Sequence, residues 1–168
     1  MSIDDKQIAQ FKEKLIRHFA DVPPPDNQRI ALGNDWESQA LQDAFSDVDW
    51  RTADKQIIQR NYDQLPFFSP EAFHFFIPAF LVYSVDEPEG SRVFEYTVYA
   101  LTPGKETDNT SQWYVDRLRL FTREQMSSIY EFLDLVRQNP KAYDFYVRID
   151  RGKKRLERYF ELAHFTEA

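Results

Sequence analysis

The stretch VFEYTVYAL, Val93 to Leu101, is rich in Val, Phe, Tyr and Thr, side chains that favour a pleated, half-buried surface. A turn at Pro88 to Gly90 precedes it, and the polar run Thr102 to Ser111, punctuated by Pro103 and Gly104, follows as an exposed loop. Beyond that loop, Trp113 to Leu120 can pair back as a second strand, although Val115, Leu118 and Leu120 do not alternate cleanly. The reading is a small antiparallel β-hairpin in a predominantly helical chain: an α+β fold.

On either side of this hairpin the spacing is helical. Upstream, Ser69-Pro70-Glu71 supplies a cap, a proline in the first turn and an acid. Phe73, Phe76, Ile77, Phe80 and Leu81 then form an apolar stripe suited to core burial. Pro78 within it removes an amide donor and is expected to kink the helix, at ~3 kcal/mol, a cost that burying several Phe at ~1.5–3 kcal/mol each offsets. Further back, Gly33-Asn34 marks a turn before a short helix from Asp35 to Phe45, and Thr52 is placed to cap a third helix through Ile57, Ile58 and Tyr62. Ser2 and Asp5 open a first helix carrying Ile8, Phe11, Leu15, Ile16 and Phe19, which Pro23-Pro24-Pro25 terminates. Downstream, Thr122 with Gln125 forms a capping box for a helix with Met126, Ile129, Tyr130, Leu133 and Val136. Asn139-Pro140 starts a last helical stretch to about Ala163, with Gly152 as its candidate break.

The 168 residues suit a single domain, 1–168, with one core. With 15 Phe, 9 Tyr and 3 Trp, aromatic rings are expected to dominate its packing. No apolar run approaches the ~20 residues of a membrane span, so no membrane partner is expected. The absence of cysteine excludes disulfides, thiolate metal sites and cysteine nucleophiles. It also suits a reducing compartment. The opening MSIDDK lacks the basic-then-apolar order of a secretory signal, and a cytoplasmic location is expected. The net charge of -7 disfavours nucleic acid, whose binding is driven by phosphate neutralisation. One segment runs against that balance. From Arg137 to Arg158, eight basic residues face only Asp144, Asp150 and Glu157, a local charge of +5. A solvated helix face is the plainer explanation, and an anionic partner surface the sharper one.

The segment LPFFSPEAFHFFIPAFL, Leu65 to Leu81, resembles the signature of an uncharacterised bacterial family, a domain of unknown function. The matching features are Ile77-Pro78-Ala79-Phe80-Leu81, the upstream Asp49-Trp50, and the downstream helix start at Phe121, Thr122, Glu124 and Gln125. The resemblance covers roughly Trp36 to Val136, and Ser69 to Leu81 is its most specific block. It implies a bacterial protein with a shared fold, and brings no activity, substrate, cofactor or catalytic residue.

Few residues point to chemistry. Glu71 and His74 share a helix face at the Glu-x-x-His spacing of di-iron carboxylate bundles, but such a site needs a second copy and none exists. A helix-end carboxylate and an ordinary histidine account for the pair. His18 or His164 could meet His74 only through the fold. With glycines at positions 33, 90, 104 and 152 alone, no phosphate-cradling loop is possible. There is no Gly-x-Ser-x-Gly elbow. The acids Asp35, Glu37, Asp43, Asp47, Asp49 and Asp54 lack calcium-loop spacing and read as a solvated face, with weak divalent binding or docking to a basic partner as the alternatives. Trp36 and Trp50 flank that cluster, and Trp113 and Tyr114 follow the polar loop; each is either core or an interface anchor. No catalytic, cofactor-binding or metal residue is therefore assigned. The expected function is that of a small binding or accessory protein acting through contacts with another protein. The alternative is an enzyme of unrecognised type with a site near Glu71 and His74. A third class, binding nucleic acid through Arg148 to Arg158, would need exposed rings such as Tyr146 and Tyr159.

Overall fold

A computed structural model describes residues 4–88, 91–105 and 108–165. Among these residues there are eight α-helices: α1 (Asp5–His18), α2 (Trp36–Phe45), α3 (Lys55–Arg60), α4 (Pro70–Asp86), α5 (Arg92–Leu101), α6 (Asp108–Leu118), α7 (Arg123–Arg137) and α8 (Tyr146–Phe165). The expected hairpin is not there. Both of its strands are helices, and the fold is all-α rather than α+β. The reason lies in burial. Val93, Phe94, Thr97, Val98 and Leu101 are buried while Glu95, Tyr96 and Tyr99 face outward, a recurrence near four residues that fits a helix and not a strand. In α6 the buried positions are Tyr114, Arg117 and Leu118, again at helical spacing. Asp108 to Ser111, expected in the loop, belong to α6, and Thr102 and Pro103 are buried rather than exposed. The proposed Ser2 cap and the turn residue Gly90 lie outside the described residues.

Two compact units are formed, one from residues 1–18 with 98–168 and the other from 19–97. In the first, α7 packs on α1 and α8, and α8 packs on α6. The Phe11 and Phe132 rings meet at 6.3 Å between α1 and α7. On the same seam, the His18 imidazole shares a 2.8 Å hydrogen bond with the Ser128 hydroxyl. Thr122 and Gln125 close the expected capping box of α7, and the Gln125 amide also donates to the His18 carbonyl. Tyr114 stacks on Tyr159 at 5.5 Å between α6 and α8. Gly152 does not break α8. It is buried, and a Cβ there would lie 2.5 Å from the Cβ and 2.6 Å from the Cα of Thr102. Glycine is what allows α8 to approach that backbone.

In the second unit, Phe45, Phe68, Phe76 and Phe80 are at most 1 % exposed and meet at ring separations of 4.9 to 6.4 Å. Such pairs add ~0.5–1.5 kcal/mol each beyond the area they bury. Asp35 and Asp54 cap α2 and α3; Thr52, the expected cap of α3, lies two residues too early. Ser69 caps α4 as expected, its hydroxyl accepting from the Ala72 amide at 3.2 Å and donating to the Arg29 carbonyl at 2.6 Å. The helix runs through Pro78, which is buried with Phe75, Phe76, Ile77 and Phe80 around it in sequence. Extended backbone pairs at one antiparallel bridge, Ala31 with Phe68. No helix among the described residues is long and apolar enough to cross a membrane.

Candidate functional site

Of the residues singled out for chemistry, Glu71 and His74 belong to one unit and His18 and His164 to the other. Glu71 is exposed in the first turn of α4, and His74 is half-buried one turn on, its ring 6.0 Å from that of Phe19. His18 is engaged by Ser128, and the His164 ring pairs with the Leu118 carbonyl at 3.0 Å and packs on Phe160. Among the described residues no group of three or more His, Asp or Glu side chains is arranged to hold a metal ion.

Four of the eight basic residues between Arg137 and Arg158 bond within their own unit. Arg137 forms a two-pronged pair with Asp150 at 2.8 and 3.1 Å, and Lys153 reaches Asp134 at 2.8 Å. Arg148 donates to the Thr102 hydroxyl and lies over the Tyr99 ring, while Arg155 donates to the Pro103 carbonyl. The Asp150 carboxyl is held below its ordinary pKa, first by the hydrogen bond from Arg137. Of the rings in this stretch, Tyr159 is fully buried, Tyr146 half-buried and Tyr143 exposed.

The tryptophans divide. Trp50 is buried, Trp113 is half-buried with the Arg117 guanidinium 3.8 Å from its ring centre, and Trp36 is 78 % exposed. Trp36 opens α2 in a region with two further exposed apolar side chains, Leu32 at 58 % and Phe67 at 55 %. The Leu32 amide donates to the Phe67 carbonyl at 3.0 Å, which sets these two residues side by side next to the Ala31–Phe68 bridge. The chain then turns sharply: a Cβ on Gly33 would stand 2.5 Å from the Ser38 hydroxyl. Asp35 ends that turn by accepting from the Ser38 amide at 2.8 Å. This backbone hydrogen bond, followed by one from the Ser38 hydroxyl, holds the Asp35 carboxyl below its ordinary pKa. Asp35 and Glu37, both exposed, flank an exposed tryptophan.

The surroundings carry the same sign. Residues 19–97 contain 14 acidic against 5 basic side chains, a formal charge of -9, whereas the other unit has 14 against 16, or +2. The imbalance read from the sequence follows the division of the fold.

A cleft of about 530 Å³ opens near the other end of α2, between residues 20–27 and 47–51. Phe45, Phe75 and Phe76 line it together with Val22, Pro24, Pro25 and Val48. Each rim is pinned. Asn27 donates its side-chain amide to the Asp47 carboxylate at 2.9 Å and accepts from the Asp47 backbone amide at 3.2 Å. Arg51 donates to the carbonyls of Phe19 and Ala20 and to the Asp49 carboxylate, with the Trp50 ring beneath its guanidinium. Asp47 has φ of 59°, the left-handed region that Asp and Asn tolerate better than most residues. Sequence reasoning placed Asp47 and Asp49 in the acidic cluster and missed Asn27 and Arg51. Their roles depend on contacts between loops 20 or more residues apart.

Neither the curated proteins nor the solved structures gave a match. One family model, described as a family of unknown function (DUF6714), matches residues 32–162, well over half of the sequence, and the chain belongs to that family.

Proposed function

We propose that this chain is a binding protein that recognises another protein through the acidic unit formed by residues 19–97. The observation that carries this reading is the exposure of Trp36, Leu32 and Phe67 in one short region. Large apolar side chains in water cost free energy that a partner recovers on covering them. Tryptophan in particular anchors interfaces, because it buries a large area with few rotamers to fix. The charge of -9 on this unit steers a basic partner toward the surface and repels acidic ones. A cytoplasmic location is part of the reading, supported by the absence of cysteine.

Site-specific photo-crosslinking tests it. A benzophenone amino acid at position 36, with the protein expressed at native level in its own host, should give one or two discrete adducts. The same probe at exposed Gln10 on α1 serves as control. Identical adduct patterns from both positions, or no adduct from position 36, would refute the reading.

A further inference from the structure

We infer that one edge of α8, carrying Arg148, Arg151, Arg155 and Arg158, binds the phosphate chain of a single-stranded nucleic acid. The four arginines recur at intervals of three, four and three residues, which sets them on one edge of the helix. At 1.5 Å per residue the row is ~15 Å long. Asp150, Glu157 and Glu161 fall on another edge by the same spacing, and Asp150 is taken by Arg137. Arg148, Arg151 and Arg158 are exposed and Arg155 is half-buried. Two of the row are held by neutral groups. Arg148 donates from Nε to the Thr102 hydroxyl at 2.9 Å, and Arg155 donates from one terminal nitrogen to the Pro103 carbonyl at 3.0 Å. These bonds orient the guanidinium groups without neutralising them. Arg148 keeps both terminal nitrogens for a ligand, and Arg155 keeps Nε and its other terminal nitrogen. Such forks match phosphate oxygens.

Exposed rings stand toward the N-terminal end of the row. Tyr99 is 41 % exposed, with the Arg148 guanidinium 4.6 Å from its ring centre. Tyr143, in the 3-10 segment Pro140–Phe145 that leads into α8, is 74 % exposed. These rings decide between two anionic polymers. An acidic polypeptide brings carboxylates that arginines also bind, but no base to stack, whereas unpaired bases stack on exposed tyrosine. A duplex keeps its base faces covered and gains nothing from them. The net charge of -7 does not stand against this surface. Its own unit carries +2, while residues 19–97 carry -9, and at physiological salt a charge is screened beyond ~8 Å. The arginine row therefore sets its own local potential.

The experiment titrates a fluorescein-labelled oligothymidylate of about fifteen nucleotides with the full-length protein and follows anisotropy. The expected result is saturable binding with Kd of about 10⁻⁴–10⁻⁶ M. The slope of log K against log salt should be about -3, because each of four neutralised phosphates in a single strand contributes ~0.7. Arg151→Glu should weaken binding at least ten-fold and Tyr143→Ser about five-fold or more. Arg17→Glu makes the same charge change at an exposed position on α1 of the same unit and should stay within about two-fold. The same strand annealed to its complement, and a labelled polyglutamate of equal charge, should each bind more weakly than the single strand. Absence of saturation, a salt slope near zero, an equal loss in Arg17→Glu and Arg151→Glu, or equal binding of duplex or polyglutamate would overturn the assignment. Should Arg151→Glu fail to fold, the salt slope and the polyglutamate comparison on the unaltered protein decide. Position 36 lies in the other unit, so either proposal can fail while the other stands.

Discussion

Replacing Gly152 by alanine would place a methyl carbon 2.5 Å from the Cβ and 2.6 Å from the Cα of Thr102, with the carbonyl carbon of the same residue at 3.0 Å. Ordinary contact between carbons lies near 3.5–4.0 Å, so roughly 1 Å of separation has to be found. No flexible side-chain end is available to yield it, because two of the three atoms are backbone. α8 would have to withdraw from residue 102, stretching the 2.9 Å bond from Arg148 to the Thr102 hydroxyl and the 3.0 Å bond from Arg155 to the Pro103 carbonyl. The opposing effect is local: alanine is favoured over glycine inside a helix by ~1 kcal/mol. Overpacking costs ~1–3 kcal/mol, and each weakened hydrogen bond ~0.5–1.5 kcal/mol more.

The expected net effect of Gly152→Ala is a loss of about 1–5 kcal/mol, or ~2–4 °C in Tm for each kcal/mol at this chain length. Urea denaturation followed by far-ultraviolet circular dichroism measures it, with an unchanged m value as the sign that stability alone has moved. Gly104→Ala is the matched control. A Cβ at Gly104 would meet nothing within 4 Å, and its effect should stay within ~0.5 kcal/mol. A Gly152→Ala protein as stable as the original, or more so, would mean that helix propensity outweighs the contact with Thr102, and the account of α8 packing would fall.

Ser69→Ala removes the cap of α4 and the donor to the Arg29 carbonyl; a loss of ~1–2 kcal/mol in urea denaturation is expected, with Ser69→Thr recovering most of it. Burial raises the phenol pKa of Tyr114 and of Tyr130 well above the ordinary 10.0, so the folded state keeps protons that the unfolded chain releases. Stability should therefore be full below pH 10 and fall as pH rises above it, by up to ~1.4 kcal/mol per pH unit for each group. Urea midpoints at rising pH check this, and Tyr114→Phe should flatten the slope. Trp36→Ser should leave stability within ~0.5 kcal/mol while removing the most red-shifted tryptophan emission. A large loss of stability would show that Trp36 packs against its own chain.

The helices bounded by side-chain chemistry were legible in the sequence. Ser69-Pro70 and Thr122-x-x-Gln125 satisfy orphan amides with their own atoms, and both starts appear where the sequence puts them. The resemblance to a family of unknown function was legible as well, and the family match over residues 32–162 bears out that much. The β-hairpin was misread because composition was allowed to override period. Val93 and Phe94 are adjacent and both buried, which a half-exposed strand cannot arrange, since neighbouring side chains there point to opposite faces. The failure of Val115, Leu118 and Leu120 to alternate was the same warning. Gly152 was misread for the opposite reason. A glycine inside a helical pattern signals either a break or a close approach, and only the position of Thr102 distinguishes them.

The candidate site was harder to read because its parts gain meaning by what the fold withholds from them. The sequence shows three tryptophans of equal standing. Burial removes Trp50, Arg117 covers the half-buried Trp113, and only Trp36 is left in water. Likewise the acidic cluster holds six carboxylates that spacing cannot rank. In the structure Asp35 and Asp54 are spent as helix caps, Asp43 on Gln39 and Asp49 on Arg51. Glu37 stands beside Trp36 in the first turn of α2. Asp47 alone of the six both lines the cleft and lacks a cation. The basic stretch shows the converse, since Arg137, Arg148, Lys153 and Arg155 each bond to a neighbour within their own unit. Under the proposed binding function, the surface offered to a partner is the remainder after folding has used its share. That remainder lies on the acidic unit.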